Sequence, residues 1–303
     1  MNLQGSLHTV ARRLGFDVYH HMAGGRRFPF RIWSLPAVGP IQPTRVLNGS
    51  ILGLGIVGIA LGFEVDLEQC TSFVGFSYSA GGWNPHVATL EEFGRNPALT
   101  YEESSLYQLH QVFQPTNLQD VFLEDESGDM GPLSGLPPSR ALFRYIWAVS
   151  PALIDKTRRS RVEKMGHHYF GPISEEKGRA QFDRLIGTYR SIQREGFDPE
   201  RYGPIMGYFI ADDSTYRFVV GSGNHRLAAL KVLGYTRVPV QLSRTHPAVV
   251  HRDRVDTWTV DHGGPFERDT AYALFEKLLF EDGMQKARNL GVVGAAGGQS
   301  PPR

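Results

Sequence analysis

The chain has 303 residues and a single cysteine, Cys70, so neither an intrachain disulfide nor a cysteine-rich zinc site can stabilise it. At roughly 150 residues per domain, this length permits two domains or one decorated domain, and it excludes a mini-protein. With 32 lysines and arginines against 31 aspartates and glutamates, the net charge is +1, which argues against general nucleic-acid coating.

The first predicted element is an amphipathic helix near the N-terminus. Apolar residues recur at helical spacing from Leu3 to Leu14, with arginines beside and after them. The segment lacks the continuous apolar core of a secretory signal, so we expect a cytoplasmic protein. Two interpretations stay open: the helix covers its own domain, or residues 1–31 contact an anionic membrane surface and hold the protein at the inner membrane face.

The segment from Leu47 to Phe63 is the one candidate for a membrane span. It has 17 uncharged residues, five of which are glycines. A helix needs about 20 mostly apolar residues to cross a bilayer, and glycine disfavours helix formation. The segment therefore predicts buried strands and tight turns.

A Gly/Pro-rich break at 128–139 and a basic run at 155–164 precede the most regular part of the chain. We place a boundary near Gly166, which gives a family-specific N-terminal region at 1–165 and a second domain at 166–290. Residues 291–303 are rich in Gly, Ala and Pro and carry too little apolar mass for a core. They predict a disordered tail.

Beyond that boundary the apolar residues at 182–192 recur at helical spacing, and Gly196 ends the predicted helix. Strands are predicted at 205–210 and 216–220. Between them lie Asp212 and Asp213, which we interpret as turn formers and not as metal ligands.

The next run, NHRLAALKVLG, predicts a helix closed by Gly234, and VPVQL predicts a third strand. The order is helix, strand, strand, Gly-rich turn, helix and strand. This mixture predicts an α+β fold.

The Gly-rich turn carries the clearest chemistry of the chain. Glycines let the backbone approach an anion, the first amides and the dipole of the following helix face that anion, and an arginine fork matches phosphate oxygens. A histidine there can donate a further hydrogen bond or pass a proton. The predicted phosphate site is Gly221-Ser222-Gly223-Asn224-His225-Arg226. The alternative is that His225 and Arg226 form a local cap and ion pair at the helix start.

The residues around this turn resemble a known superfamily. The run RFVVGSGNHRLAALKVLGYTRVPVQL is similar to the phosphate-binding centre of the ParB/sulfiredoxin-like superfamily, in which a Gly-x-His-Arg or Gly-x-Arg-Arg turn precedes an alanine-rich helix and a "VPV" strand. Upstream, RLIGTYRSIQREGFDPERYGPIMGYFI is similar to the family's preceding helix and strand, and FGPISEE to its opening strand. The resemblance spans about Phe170 to Leu242, roughly a quarter of the chain, and implies a nucleotide-binding domain.

The chain differs from individual subfamilies at positions that their activities require. These differences reduce the number of activities that the resemblance implies. Sulfiredoxins use a cysteine inside the turn, where this chain has Asn224. DNA-segregation clamps continue into a helix-turn-helix, whereas the sequence after Leu242 predicts one clear helix. We therefore expect neither reductase activity nor sequence-specific DNA binding.

The resemblance to the kinase-like branch implies a catalytic carboxylate near the opening strand, where this chain has Glu175 and Glu176. Such a base would deprotonate an acceptor hydroxyl while His225, Arg226 and Mg²⁺ stabilise the transferred phosphoryl group of ATP or CTP. Because a serine followed by two glutamates is also a good helix start, a purely structural role stays open.

Two further features bear on function. The segments YEESSLYQLHQVFQPTNLQDVF and VVHRDRVDTWTVDHGG resemble uncharacterised ParB-like proteins that are associated with surface-polysaccharide biosynthesis. The adjacent His167 and His168 lack a carboxylate at ligand spacing, so we expect solvent exposure or a single contact and no zinc.

These features predict a nucleoside-triphosphate-dependent phosphotransferase that acts on a small hydroxylated or glycan-linked acceptor. The alternative is a non-catalytic, nucleotide-gated switch or regulatory binding module, in which the nucleotide shifts a conformational equilibrium. Partition-type DNA binding is the third class, and the near-neutral charge disfavours it.

Overall fold

The computed structural model of the chain describes residues 21–23, 26–28, 34–35, 39–40, 45–51, 56–122, 146–147, 167–243, 246–247, 249–262, 264 and 266–293. The predicted N-terminal helix, the Gly/Pro-rich break, the basic run and residues 294–303 lie outside these ranges. The structure describes the first three residues of the tail predicted at 291–303. Two of them, Val292 and Val293, pack against a hydrophobic core.

A mixed sheet of seven strands lies at the centre of the described chain. Its order is β5-β6-β10-β8-β9-β7, and β11 pairs with β8 beyond the end of β10. The strands are β5 (Arg45–Ile51), β6 (Ile56–Asp66), β7 (Cys70–Ser72), β8 (Ile205–Ala211), β9 (Tyr216–Ser222), β10 (Arg237–Leu242) and β11 (Val249–His251). Two short pairings precede the sheet: β1 (His21–Ala23) with β2 (Arg26–Phe28), and β3 (Ser34–Leu35) with β4 (Gly39–Pro40).

The helices cover both faces of this sheet. They are α1 (Pro85–Arg95), α2 (Ser105–Val112), α3 (Leu118–Phe122), α4 (Glu175–Glu195), α5 (Pro199–Tyr202), α6 (Asn224–Val232), α7 (Arg268–Phe280) and α8 (Met284–Asn289). Short 3-10 helices cover Leu67–Gln69, Tyr101–Glu103, Arg252–Trp258 and Val260–His262. The described chain is thus mixed helix and sheet, which confirms the α+β class.

Side chains of β8 alternate between two hydrophobic cores, as the period of a strand requires. Phe209 belongs to the core that α1, α4 and α6 cover, whereas Tyr208 and Ile210 belong to the core that α7 covers. Both cores contain residues from before and after Gly166.

The structure confirms the helices and strands predicted between 182 and 242, whereas FGPISEE forms no strand and two α-helices, not one, follow Leu242. Helix α4 starts at the N-cap Ser174, whose hydroxyl accepts a hydrogen bond from the amide of Lys177, and it ends at Gly196 with φ 77°. Asp212 accepts hydrogen bonds from the amides of Ser214 and Thr215, both at 2.8 Å, so it is a turn former as predicted.

The sequence boundary near Gly166 does not separate two sheets. Strand β6 pairs antiparallel with β10, and β7 pairs parallel with β9, so the N-terminal region supplies strands on both sides of the predicted domain. The segment Leu47–Phe63 contributes to the hairpin of β5 and β6, in agreement with the predicted strands. Among the described residues, no helix has both the length and the apolar character that a bilayer crossing requires.

Candidate anion-binding site

The site is built on the turn between β9 and α6. Gly223 occupies the N-cap position with φ 103°, a left-handed conformation that favours glycine. A Cβ atom added there would lie 3.1 Å from Cα and Cγ1 of Ile205. No side chain caps the helix, so its first amides stay available to a ligand.

The side chain of Asn224 faces inward from this turn. It is 6% exposed, and its Oδ1 accepts a hydrogen bond from the hydroxyl of Tyr78 at 3.0 Å. The hydroxyl of Tyr78 also lies 3.3 Å from that of Tyr169. This buried chain of polar groups fixes the first residue of α6 against the N-terminal region.

Arg226 connects the turn to the end of α5. Its Nη1 donates hydrogen bonds to the carbonyl oxygens of Tyr202, at 2.6 Å, and of Gly203. Its Nη2 lies beside the turn, 3.2 Å from the position of a Cβ atom on Gly223. Burial, and secondly the charge of Arg184, lower the pKa of Arg226. No carboxylate of the described chain forms an ion pair with Arg226, and its described partners are the two backbone carbonyls.

The turn forms one wall of a cleft of about 430 Å³. The residues that line the cleft are His167, His168, Lys177, Gln181, Arg184, Thr188, Tyr202, Gly221, Ser222, Gly223, Asn224, His225 and Arg226. Three of them carry fixed positive charge and three carry imidazole rings, whereas none of these described lining residues is a carboxylate. This composition favours an anionic ligand.

The wall opposite the turn is one face of α4. Its members Lys177, Gln181, Arg184 and Thr188 are spaced by four, three and four residues, which places them on a single helical stripe. The apolar face of this helix and the glutamates of its first turn are the features predicted from the sequence, and this stripe is not among them. The polar stripe has the same period, and that spacing could have identified it.

His225 is held in its neutral form. Burial is the main cause, and the neighbouring Arg184 and Arg226 add to it, so that the pKa of His225 falls to about 4. At pH 7 the ring can therefore accept a proton or a hydrogen bond.

Glu175 and Glu176 lie on the first turn of α4 and are absent from the cleft lining. Both are exposed, and Glu175 forms an ion pair with Arg179 at 2.8 Å. The helix-start interpretation of Ser174, Glu175 and Glu176 is confirmed by the cap at Ser174. Their role as catalytic bases stays a prediction.

The expectation of solvent exposure is wrong for His167, which is 4% exposed. The ring packs at 4.8 Å from the ring of Phe170 and at 5.4 Å from that of Phe73, because the segment crosses an aromatic core. His168 is half-buried and lines the cleft.

The lining residues fit phosphate oxygens better than they fit Mg²⁺, which prefers carboxylate and carbonyl ligands. Throughout the described ranges, no group of three or more His, Cys, Asp or Glu side chains could hold a metal ion.

Comparisons of the chain with protein-family models, with curated proteins and with solved structures find no match.

Proposed function

We propose that the protein binds the phosphates of a nucleoside triphosphate in the cleft between the Gly221–Arg226 turn and α4. One observation carries this proposal: cationic side chains from two elements converge on an uncapped helix start, and no carboxylate stands among the described residues that line the cleft. Each feature alone is common, but together they provide backbone amides, a helix dipole and charge-assisted donors for the same anion.

The assignment to the ParB/sulfiredoxin-like superfamily is part of this proposal. It is supported by the resemblance between Phe170 and Leu242 and by the order α4, β8, β9, turn, α6, β10, which agrees with the order the resemblance implies after its opening strand; FGPISEE, at the place of that strand, is not a strand here. The surface-polysaccharide context, a glycan-linked acceptor and a location at the inner membrane face rest on sequence resemblance alone.

Between the two functions that the sequence predicts, the geometry favours a nucleotide-gated binding module. Transfer to an acceptor hydroxyl needs a base within hydrogen-bond reach of that hydroxyl. Glu175 and Glu176 are outside the cleft lining, and Glu175 is already paired with Arg179.

A phosphotransferase is the second candidate, and His225 is the observation that favours it. This imidazole is neutral at pH 7 and lines the cleft beside the predicted phosphate site. It could accept the proton of a small hydroxylated acceptor, with Arg184 and Arg226 neutralising charge on the transferred group.

Isothermal titration calorimetry with ATP and CTP, with and without Mg²⁺, tests the proposal. Arg184 is exposed and forms no ion pair with the described residues, so Arg184→Ala should weaken nucleotide binding by about tenfold or more without unfolding the protein. Arg190→Ala is the matched control, because Arg190 is exposed on the same helix but lies outside the cleft.

Failure of the wild-type protein to bind either nucleotide would contradict the proposal. Transfer of a labelled γ-phosphate to hydroxylated acceptors then separates the two functions. A binding module labels no acceptor, and its conformational or oligomeric state changes when nucleotide binds.

A further inference from the structure

Three histidine rings pack against one another behind the β9–α6 turn. We call His86, His168 and His225 the histidine cluster. The ring centroids of His86 and His225 are 4.7 Å apart, those of His86 and His168 are 5.7 Å apart, and those of His168 and His225 are 6.1 Å apart. His168 and His225 line the cleft, and His86 lies behind them on α1.

His86 is the unusual member of the cluster. Its ring is fully buried, and neither Nδ1 nor Nε2 forms a hydrogen bond of good geometry within the described chain; the backbone of His168 makes a polar contact with the ring, which is too loose to satisfy a ring nitrogen. A buried polar group without a partner costs about 1–3 kcal/mol, so its retention needs an explanation. No sequence pattern identified this residue, because α1 is far from the turn along the chain.

The described groups that face His86 and His225 are cationic or neutral. Around His86 they are His168, His225 and Tyr169, with His110 and His167 farther away. Around His225 they are Arg184 from α4 and Arg226 from its own helix. The rings of His167 and Tyr169 pack against His168, whose carbonyl oxygen lies 3.2 Å from Nε2 of His110. None of these described neighbours is a carboxylate.

These surroundings oppose a further positive charge. Burial and the neighbouring histidines hold the pKa of His86 well below its usual range, and burial with two arginines lowers that of His225 to about 4. A negative charge in the cleft would act in the opposite direction, because an anion within about 4–6 Å favours a charged imidazole.

We propose that the histidine cluster takes up a proton when an anion binds in the cleft. The inference rests on the proposed anion binding and adds that the ligand enters together with a proton. A lone pair on a ring nitrogen of His225 forms an N–H bond with a proton that a buffer acid releases, and the conjugate base of the buffer stays in solution. His86 is a positioning residue: its ring packs edge to face against the ring of His225, with 4.7 Å between the centroids, and holds that ring at the cleft.

Proton-linked binding has a defined pH dependence. Where the bound complex holds more protons than the separate partners, affinity rises as pH falls. We expect the affinity for ATP to rise between pH 8 and pH 6, by at most about tenfold per pH unit for each proton taken up.

Calorimetry of ATP binding without Mg²⁺, at pH 6.5 in buffers of different ionisation enthalpy, measures the number of protons directly. The lower pH is needed because a nearby anion raises a pKa by about 1–3 units, and the pKa of His225 starts at about 4. A cation-lined cleft favours the fully ionised nucleotide, so ATP itself would release protons, and a net uptake belongs to the protein. We expect net uptake by the wild-type protein, less uptake by His225→Gln and His86→Gln, and no change in His262→Gln, a control at an exposed position.

The outcomes separate the inference from the proposed function. Equal numbers of protons exchanged by the wild-type protein and by His225→Gln overturn the inference and leave the function intact, because the protons that ATP releases are the same in both. Absence of ATP and CTP binding overturns both. If His86→Gln does not fold, the buffer series on the wild-type protein and on His225→Gln decides the result.

Discussion

The hydroxyl of Tyr78 donates a hydrogen bond to Oδ1 of Asn224, and both side chains are buried. Tyr78 follows β7, which pairs with β9, and Asn224 is the first residue of α6. The N-terminal region therefore contacts the phosphate turn on its buried side through Tyr78. On the cleft side, the turn faces α4. The turn is set by two parts of the chain that are distant in sequence.

Replacement of Tyr78 by phenylalanine should destabilise the protein. The substitution keeps the ring but leaves Oδ1 of Asn224 buried without this donor, which costs about 1–3 kcal/mol. Urea denaturation measures the free energy of unfolding. Tyr235→Phe is the control, because that side chain is 39% exposed and its loss of a hydroxyl should change the free energy by less than about 0.5 kcal/mol. Equal stabilities of the two variants would contradict the anchoring role.

The two glycines of the turn should respond differently to alanine. Gly223 has φ 103° and a tight contact with Ile205, so Gly223→Ala should cost about 1–2 kcal/mol and weaken nucleotide binding. A Cβ atom on Gly221 would meet only the carbonyl oxygen of Met206, at 3.7 Å, which is an ordinary contact. The Gly221→Ala variant should therefore have the same free energy of unfolding as the wild-type protein. Denaturation and calorimetry on both variants test this difference, and equal effects would argue against it.

Local patterns predicted most of the fold beyond Gly166. Some features depend only on residues that are adjacent in the sequence, so the sequence alone identifies them. They are the glycine that ends α4, the glycine that begins α6, and the aspartate turn between β8 and β9. Strand β6 instead pairs with β10, about 170 residues later. No local pattern encodes such a pairing, so the sequence does not show that the N-terminal region contributes strands to the sheet.

The candidate site also combines features that local sequence determines with features that depend on contacts between distant residues. The turn and Arg226 are visible in one short run, and the stripe on α4 is visible in its spacing. Tyr78 and His86 contribute through tertiary contacts alone, so they have no signature in the sequence. The hydrogen bonds from Arg226 to the carbonyls of Tyr202 and Gly203 were also unpredictable, because they depend on where α5 ends.

Two histidines should make the protein sensitive to mild acid: His110, which is buried, and His225, which is half-buried in the wall of the cleft. Burial lowers the pKa of His110 and of His225 to about 4, whereas an unfolded histidine titrates near about 6.5. Between these values the unfolded state binds more protons, so stability falls as pH falls, by up to about 1.4 kcal/mol per pH unit for each histidine.

Urea denaturation between pH 7.5 and pH 5 measures this effect above the range in which carboxylates titrate. His110→Gln should reduce the slope of stability against pH, and His262→Gln, at an exposed position, should leave it unchanged. A free energy of unfolding that is constant over this range would show that the histidines are not buried in their neutral form.

Two glycines within α4 should respond to alanine with opposite signs. A Cβ atom on Gly178 would lie 2.1 Å from the hydroxyl oxygen of Tyr101, a buried ring whose hydroxyl is hydrogen-bonded to Nδ1 of His110 at 2.9 Å. Because this ring cannot move without breaking that bond, Gly178→Ala should destabilise the protein by about 1–3 kcal/mol. Gly187 is exposed and would meet nothing within 4 Å, so Gly187→Ala should stabilise it by about 0.5–1 kcal/mol. Thermal and urea unfolding of both variants measure the two signs, and stabilisation by Gly178→Ala would rule out the close packing of α4 on Tyr101.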